Sequence, residues 1–390
     1  MLRSLYSGIS GLRSHQTMLD VTGNNIANVN TTAFKSSATQ FQDTLSQMTQ
    51  GAGVPQAQVG GTNPAQIGLG VQVAGISTNF AQGSAQATGR ATDMMISGDG
   101  FFITRSGGEV LYTRAGSFDP DAAGRLVTPD GSLLQGWNAV NGQIAEGGAI
   151  GTITLPLDAV IPAVTTTKAT VGGNLPSDAA VGTSLVRDVD VFDASGTKRT
   201  LTLTLSKTAT GWDVAGADGT GATGSGTLSF TNGKLTGPTG ITVGGVAVDL
   251  SGVSGFAELN TVAISSQDGR EAGTLESFTL SKDGTLVGLF SNGEKQAIAR
   301  IALATFANPG GLEKAGSSSY RVTVNSGAPE LGAPGSDGLG SVTAGTLEMS
   351  NVDLSQEFTN LIVAQRGFQA NARIITTSDE VLQELTNLKR

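Results

Sequence analysis

Hydrophobic residues recur every three or four positions at both ends of the chain, which is the spacing of an amphipathic helix and, when sustained, of a coiled-coil seam. In the first segment the repeating positions are Leu2, Leu5, Ile9, Leu12, Gln16, Leu19, Gly23 and Ile26. In the last segment they are Leu354, Phe358, Leu361, Gln365, Phe368, Ala372, Ile375 and Leu382. We predict a long helix at each end of the chain. The predicted self-assembly seam consists of Leu5, Ile9, Leu12, Leu19, Ile26, Leu354, Phe358, Leu361, Phe368, Ile375 and Leu382.

The position of these two helices favours pairing. Because the sequence between them has almost no helical pattern, each can pair only with the other or with a neighbouring chain. Gly8, Gly11 and Gly23 weaken the first helix by roughly 1 kcal/mol each relative to alanine, but they permit another helix to approach closely. Asp353 and Gln356 match a capping box at the start of the second helix. The alternative is two ordinary helices packed on a globular core. Since isolated helices of this length are marginal in water, we expect disorder in the free monomer and folding in an assembly.

Residues 44–89 contain no Asp, Glu, Lys or Arg and are rich in Gly, Gln, Ser and Thr. A flexible linker is one interpretation. The other is an extended arm packed between subunits, where bare charges would be costly to desolvate. Phe41, Leu45 and Met48 give such an arm apolar surface to bury, so we predict an extended arm over 33–72.

From about residue 71 to 342 the pattern changes to short β-rich runs separated by Asp-Gly and Asn-Gly turns, which is typical of β-sandwiches and barrels. The predicted fold class is therefore α+β, mainly β, with terminal helices forming a coiled coil and two β-rich domains. Shifts in composition predict an outer variable β domain at 149–274, inserted into an inner β domain at 73–148 and 275–349. Residues 1–32 and 350–390 form the predicted helical core domain.

Composition excludes several classes of function. Of 390 residues, 32 are acidic and 23 are basic, and the net charge of −9 opposes general nucleic-acid binding, which needs a clustered positive face. The absence of cysteine excludes disulfides, thiolate metal sites and thiol nucleophiles. His15 is the one histidine, so a Ser–His–Asp triad is improbable and we expect a packing or surface role for it. Neither a secretory signal nor an apolar run of membrane-spanning length is present.

Two short motifs imitate ligand-binding loops. Residues 219–224 have the glycine spacing of a dinucleotide loop, but a strand-like run follows them instead of a helix. Residues 119–130 begin like a calcium loop, yet Ala123 and Asp130 stand where ligands of other types are needed. We interpret both as turns. No catalytic, metal-binding or cofactor-binding residues are predicted, and no cofactor.

The two ends carry further motifs that resemble the bacterial flagellar rod and hook protein family. The N-terminal residues of this resemblance are Asn24, Asn25, Ile26, Ala27, Asn28, Asn30, Thr31, Phe34 and Lys35. The C-terminal residues are Ser350, Asn351, Val352, Asp353, Gln365, Arg366 and Asn371. Ala33 stands where the family usually has glycine. The central runs at 99–102, 112–116 and 306–312 agree with the family as well, whereas 149–274 carries no signature.

The resemblance implies a structural, non-enzymatic subunit that polymerises into a hollow tube. Residues 352–355 look like the hook version of the motif, and the length leaves room for an outer domain, so a hook subunit is favoured. Such a subunit would form a curved, flexible universal joint that transmits motor torque from rod to filament. The implied partners are further copies of the chain, the adjacent rod and hook–filament junction proteins, a hook cap or scaffold protein and the flagellar type III export apparatus. The implied location is the extracellular part of the flagellum, reached without a cleaved signal, with neither nucleic-acid binding nor membrane insertion.

Two alternatives belong to other classes. A distal-rod subunit would form a straight, stiff tube. An enzyme or carbohydrate-binding β protein would work as a monomer, independent of its terminal helices. Truncation to residues 33–348 separates these classes, because it should abolish a polymer and spare an enzyme.

Overall fold

The computed structural model describes residues 2–56, 58, 60–140, 142–156, 160–336 and 338–387. The helices in this part of the chain are α1 (Leu2–Ala27), α2 (Leu354–Asn387) and a short 3-10 turn at Pro309–Gly311. The strands are β1 (Ser37–Asp43), β2 (Ser46–Gln50), β3 (Ala65–Gly68), β4 (Val71–Thr78), β5 (Ala85–Ala87), β6 (Met94–Ser97), β7 (Phe101–Ser106), β8 (Glu109–Thr113), β9 (Asp119–Pro120), β10 (Leu126–Val127), β11 (Leu133–Val140), β12 (Gln143–Ile144), β13 (Gly151–Thr152), β14 (Val160–Ile161), β15 (Lys168–Asn174) and β16 (Ser184–Phe192). They continue with β17 (Lys198–Lys207), β18 (Trp212–Asp218), β19 (Thr223–Leu228), β20 (Phe230–Thr231), β21 (Lys234–Leu235), β22 (Gly240–Val243), β23 (Val246–Ser254), β24 (Ala263–Gln267), β25 (Gly273–Leu280), β26 (Thr285–Phe290), β27 (Lys295–Ile301), β28 (Leu303–Thr305), β29 (Glu313–Gly316), β30 (Ser319–Arg321), β31 (Glu330–Gly332), β32 (Ser341–Ala344) and β33 (Thr346–Glu348).

The chain divides into two compact units. Unit 1 comprises Met1–Leu155, Thr279–Val287 and Ala297–Arg390, and unit 2 comprises Pro156–Phe278 and Gly288–Gln296. The predicted fold class is confirmed, because the structure is mainly β and the two terminal helices pair with each other.

Unit 1 holds the two helices and an antiparallel sheet with the strand order β27-β11-β7-β8-β30-β29. Its core is aromatic. Phe101 lies against Phe80, Phe306 and Tyr320, and Phe80 also contacts Tyr320. The ring centroids of these contacting pairs are 5.2–6.0 Å apart. Two further strand pairs, β5 with β33 and β6 with β32, connect the region after residue 85 to the region before α2. Each of these pairs is a separate two-stranded sheet, and together they hold the segment before α2 against residues 85–97.

The segment 33–72, predicted as an extended arm, folds back on itself in the structure. Strand β1 pairs with β4 from Ser37↔Thr78 to Asp43↔Val71, and β2 pairs with β3 in an antiparallel hairpin. The side chains of β2 and β3 are all exposed. The segment thus consists of extended, paired strands, and β4 crosses the predicted boundary at residue 72. Packing of this segment between subunits remains a prediction.

Unit 2 contains two sheets that contribute to one core. Strands β16 to β19 form an antiparallel meander, and the other sheet has the order β20-β21-β23-β15-β24 with parallel pairing of β15 and β23. Alternate residues of β17 and β18 point inward, so Leu203, Leu205, Trp212 and Val214 are buried. Hydrophobic residues at every second position thus supply the core, as expected for strands buried on one face.

The predicted limits of the outer domain, 149–274, remain a prediction, and unit 2 begins later, at Pro156. The physical reason lies in residues 151–155. Strand β13 pairs with β11 of unit 1, and Leu155 is buried and donates its backbone N–H to the carbonyl oxygen of Gly124 at 2.7 Å.

The buried phenol of Tyr320 predicts a loss of stability at high pH. Burial raises the pKa of Tyr320 to about 12, whereas an unfolded tyrosine ionises near pH 10. The unfolded state therefore loses its proton first. The stabilisation, about 3 kcal/mol at most, is present below pH 10 and is lost between about pH 10 and 12. Urea unfolding at pH 9 and pH 11 should show a larger loss for the parent chain than for Tyr320→Phe. The exposed Tyr6→Phe variant is the control, and an equal loss in the parent and Tyr320→Phe chains would contradict the assignment.

Candidate assembly site at the paired termini

Helices α1 and α2 approach each other at glycine residues. A Cβ atom built on Gly11 would lie 2.7–2.8 Å from the side-chain atoms of Asn371, and one built on Gly367 would lie 2.5 Å from the ring of His15. Gly8 faces Ile375, whose Cγ1 would be 3.4 Å from such a Cβ. As the contacting position advances along α1, its partner moves backward along α2. The helices are therefore antiparallel, and each inserts larger side chains over glycines of the other.

The predicted seam residues of α1 lie beside this contact. Leu5, Ile9, Leu12, Leu19 and Ile26 are each partly buried. The fully buried positions of α1 are instead the small or polar residues Gly8, Gly11, Ser14, Thr22 and Asn25. The pairing face thus includes the small residues Gly8 and Gly11, and the aliphatic side chains of the predicted seam retain surface that the chain itself leaves open.

The predicted seam residues of α2 divide into two groups. Leu361, Phe368, Ile375 and Leu382 are partly buried, and the small residue Ala364 between them is fully buried. Leu354 and Phe358 are 39% and 50% exposed, so the seam does not continue to the start of the helix.

Helix α1 also packs on the β1–β4 pair. Ser10 Oγ accepts the backbone N–H of Val71 at 3.2 Å. The ring of His15 meets Phe41 edge-on at 5.9 Å, so the predicted packing role of this histidine agrees with its position. Asn25 fixes the end of the helix, because its side-chain amide donates to the carbonyl of Ser37 at 2.8 Å and accepts the Ser37 N–H at 3.0 Å.

The N-terminal motif forms the turn that leaves α1. Asn28 donates to the carbonyl of Asn24 at 2.9 Å and accepts the hydroxyl of Thr31 at 3.0 Å. Ala33 follows with a φ of 56° and is fully buried. This left-handed conformation is one that glycine adopts without strain, which explains why glycine is usual at this position in the family it resembles. The turn delivers Phe34 under Lys314, whose Nζ lies 5.3 Å from the ring centroid.

The C-terminal motif begins with an asparagine clamp. Asn351 Oδ1 accepts the N–H of Ser36 at 2.8 Å, and its Nδ2 donates to the carbonyls of Asn79 at 2.8 Å and Ala81 at 3.0 Å. Asp353 then caps α2, because its Oδ1 accepts the N–H groups of Ser355 and Gln356.

The remaining motif residues have simpler positions. Ser350 accepts the N–H of Val352 at 3.3 Å, and Asn371 donates to the carbonyl of Gly367 at 2.9 Å. Gln365 and Arg366 are exposed, as are Ala27 and Asn30. The asparagines Asn25, Asn28 and Asn351 thus fix the chain where it leaves α1 and enters α2, a region that we call the junction. The exposed motif residues, by contrast, stay in contact with solvent.

A buried ion pair joins the two termini. Lys35 Nζ donates to Glu348 Oε1 at 2.6 Å and to the carbonyl of Ala81 at 2.8 Å. Glu348 Oε1 also accepts the N–H of Gly83 at 2.8 Å, and its Oε2 lies 3.8 Å from Nη1 of Arg114. These three charged side chains are only 1–3% exposed. Burial lowers the pKa of Lys35, and the hydrogen bond to Glu348 opposes that shift.

Sequence reasoning found Lys35 but missed Glu348 and did not assign Arg114 a role at the junction. Glu348 lies just before the C-terminal motif, in a strand that pairs with β5. The available signal is weak: Glu348 is a lone acid between two apolar residues, two positions before Ser350. Its partner lies 313 residues away, so local pattern could not identify the pair.

In the part of the chain that the structure describes, no group of three or more acidic or histidine side chains could hold a metal ion. Neither α1 nor α2 has an apolar stretch long enough to cross a membrane.

The glycine contact predicts opposite effects for two similar substitutions. Gly11→Ala should lower the melting temperature of the helical signal, because the new methyl group displaces Asn371. Gly23→Ala should raise it, since a Cβ on Gly23 meets nothing within 4 Å and alanine favours the helix by roughly 1 kcal/mol. Thermal unfolding of the full chain, followed by circular dichroism at 222 nm, measures both. Stabilisation by both variants would show that α2 does not pack on Gly11.

The buried ion pair predicts a large cost when one partner loses its charge. Glu348→Gln should lower the free energy of unfolding by about 3–5 kcal/mol, because Lys35 and Arg114 then retain uncompensated buried charges. Lys35→Met combined with Glu348→Gln should recover part of that loss. Glu109→Gln, which breaks an exposed pair with Arg321, is the matched control and should have a much smaller effect. Urea unfolding measures each variant, and an equal effect of the two single substitutions would contradict a structural role for the cluster.

The sequences of the two ends of this chain, and of part of its sheet, match known protein families. Three family models match: "Flagella basal body rod protein" at residues 5–35, "Flagellar hook protein FlgE/F/G D1 domain" at 95–173 and "Flagellar basal body rod FlgEFG protein C-terminal" at 343–388. The first range includes Lys35 and the last includes Glu348, so the ion pair joins the two matched terminal regions.

Full-length relatives also match. The chain is 39% identical to the flagellar hook protein FlgE of Borreliella burgdorferi, with 100% of both chains covered. It is 35% identical to FlgE of Salmonella typhimurium, covering 99% of this chain and 100% of the relative, and 35% identical to the flagellar basal-body rod protein FlgG of Bacillus subtilis, covering 100% of both. Among solved structures, the Helicobacter pylori flagellar hook protein FlgE2 matches with a TM-score of 0.51 and 14% identity, covering 68% of this chain and 100% of that one, and this likeness supports the fold.

Proposed function

This chain belongs to the bacterial flagellar hook and rod protein family, in which it is a structural subunit of the hook, and we propose that its copies form a curved, flexible hollow tube that acts as a universal joint. Such a tube would transmit motor torque from the rod to the filament. Its homopolymeric, axial character follows from the family.

The observation that carries the proposal is the apolar surface that α2 leaves open. Seven large hydrophobic side chains of this helix are 39–54% exposed, namely Leu354, Phe358, Ile362, Val363, Ile374, Val381 and Leu385. They flank the face that α1 covers. Exposed apolar surface of this extent is typical of protein–protein interfaces. In the proposed tube, helix pairs of neighbouring copies bury these faces, and apolar burial supplies most of the assembly free energy.

The β2–β3 hairpin supplies a second open surface. Leu45, Met48, Val54 and Ile67 in and around it are 48–83% exposed, and no charged residue occurs from Thr44 to Gly89. A lone two-stranded hairpin is at best marginally stable in water. We propose that neighbouring copies cover it in the polymer, as the sequence-based prediction of an arm between subunits suggests.

Bending requires contacts that slide while torque is transmitted. The outward faces of the unit 2 strands carry Thr, Ser, Asp and Lys between buried aliphatic residues. Exposed polar pairs of this kind contribute little stability individually. We propose that such shallow contacts between outer domains exchange as the tube rotates, while the helical core stays bound.

Partners and location follow from the same proposal. The tube would contact the adjacent rod and hook–filament junction proteins and a hook cap or scaffold protein. Its subunits would leave the cell unfolded through the flagellar type III apparatus and without a cleaved signal, so that the hook lies outside the cell. A chain without cysteine cannot form disulfides during that passage. The subunit acts without catalysis. A straight distal-rod tube is the second candidate, and the similarity to FlgG of Bacillus subtilis is the observation that favours it.

Phe358→Asp tests the role of the open face of α2. This substitution places a charge on an exposed apolar position, so the monomer should fold normally but should not polymerise. Thr359→Asp, at the next and exposed position of the same helix, is the matched control and should still assemble. Electron microscopy of both proteins in a kosmotropic salt, which favours apolar burial, gives the readout.

Curved tubes from the parent chain and from Thr359→Asp, without tubes from Phe358→Asp, support the proposal. Straight tubes would support the rod candidate. Tubes formed by Phe358→Asp would contradict the role assigned to this face.

A further inference from the structure

Unit 1 contains a groove at the junction, where the turn after α1 meets the β29–β30 hairpin. Its volume is about 590 Å³, within the range of binding pockets, which runs from roughly 300 to 1,000 Å³. Thr31 and Phe34 line it from the N-terminal motif, and Lys314 and Tyr320 line it from the hairpin. Phe34, Tyr320 and Pro129 supply apolar surface. We call this feature the junction groove.

The positive charge in the junction groove has no acidic partner. Lys314 makes none of the ion pairs found among the described residues. Its Nζ donates to Ser37 Oγ at 2.9 Å and lies over the Phe34 ring, so an ammonium with three N–H groups keeps further donors free. Asp130 also lines the groove, but its carboxylate accepts two nearby hydroxyl groups. Lys314 can therefore accept a carboxylate from outside the chain.

One wall of the junction groove is fixed by its own hydrogen bonds. Ser317 and Ser318 form the turn between β29 and β30, with φ angles of 48° and 55°. These left-handed conformations are strained for serine and need support from the surrounding structure. Ser318 Oγ donates to the carbonyl of Thr32 at 3.2 Å, and the hydroxyl of Thr113 donates to the carbonyl of Ser318 at 2.9 Å. The groove is thus formed in advance, which lowers the entropy cost of binding a partner.

The opposite end of the helix pair carries the complementary charge. Because α1 and α2 are antiparallel, the last turns of α2 lie about 40 Å along the pair from the junction, by the length of α1. Glu380 and Glu384 are exposed there and make none of the ion pairs found among the described residues. They are like charges four residues apart near the negative end of a helix, which is unfavourable on both counts. A cation from another molecule would relieve this repulsion.

Two exposed aliphatic side chains lie beside these acids. Val381 and Leu385 are 40% and 46% exposed. At about 100° per residue, Glu380, Glu384, Val381 and Leu385 follow one another within about 140° of the helix circumference. They form one stripe, acidic at one edge and aliphatic at the other, which we call the α2 stripe. An apolar groove that holds one unpaired lysine has the matching properties.

We propose that the α2 stripe of one copy binds in the junction groove of the next copy. Glu380 and Glu384 face Lys314, and Val381 and Leu385 pack on the apolar lining. This contact rests on the polymer of the proposed function and defines one of its interfaces. Since the two surfaces lie at opposite ends of the helix pair, the contact is head-to-tail. Each copy can then bind the next, as an open helical polymer requires.

Reversal of the charges tests the contact in the full-length chain. Lys314→Glu gives a groove that repels the α2 stripe, and Glu380→Lys with Glu384→Lys gives a stripe that repels the native groove. We expect each of these two proteins to need a roughly tenfold higher concentration than the parent to polymerise. The triple variant, with all three substitutions, should polymerise near the parental concentration, because attraction returns with reversed sign. Sedimentation and electron microscopy measure the polymer. Sucrose is used in place of salt, since it favours apolar burial without screening charges.

A mixture of the two impaired proteins separates a contact between copies from a folding defect. When the two proteins alternate along a polymer, the reversed groove of one meets the reversed stripe of the other, and the native groove meets the native stripe. An equimolar mixture should therefore polymerise at a concentration where neither protein does so alone. Far-ultraviolet circular dichroism checks that each variant folds.

Two matched controls change the charge elsewhere. Lys282→Glu alters an exposed lysine of unit 1 outside the groove, and Asp379→Lys alters an exposed acid beside Glu380 but away from the stripe. Both should polymerise like the parent. Polymerisation of Lys314→Glu at the parental concentration, or failure of the triple variant or of the mixture to recover, would overturn the contact. A parent chain that forms no polymer would contradict the proposed function and the contact together. Straight tubes with the expected pattern of variants would support the contact and favour the rod candidate.

Discussion

The buried pair of Lys35 and Glu348 joins two segments that are 313 residues apart, and the geometry of both termini depends on it. Lys35 follows the end of α1 closely, and Glu348 precedes the start of α2. Asn351 donates to the same carbonyl of Ala81 that accepts a hydrogen bond from Lys35, so the pair and the clamp share one anchor. Because the end of α1 and the start of α2 are both fixed, the two helices lie side by side from the junction onward. Contacts at glycine residues then determine how closely the helices approach each other.

The helix pair satisfies only part of its own apolar surface. Gly8, Gly11 and Gly367 bring the helices together, whereas the large aliphatic side chains remain on the flanks. Because the pair is joined through small residues, its larger hydrophobic groups stay exposed, and in the proposed tube they would contact other copies. This division of roles is consistent with a monomer that is stable at its junction and incomplete along its helices. In the proposed tube, the polymer and the monomer would therefore depend on different residues of the same two helices.

Sequence reasoning predicted the elements better than the contacts. Three- and four-residue spacing located α1 and α2, and alternation identified strands such as β17. The face used for pairing could not be predicted in the same way, because hydrophobic periodicity ranks Leu12 above Gly11, whereas close packing favours the smaller residue. Glu348 was missed since its partner is remote in sequence.

The long separation between Lys35 and Glu348 also orders events in time. The ribosome synthesises a chain from its N-terminus. Glu348 is therefore added 313 residues after Lys35, and Lys35 has no ion-pair partner until then. Until then α1 has no α2 to pair with, and the junction cannot close. A shortened chain that ends before Glu348 never acquires the paired surface. In the proposed tube, only a chain that contains both Lys35 and Glu348 could therefore close the junction and present the paired helices to its neighbours.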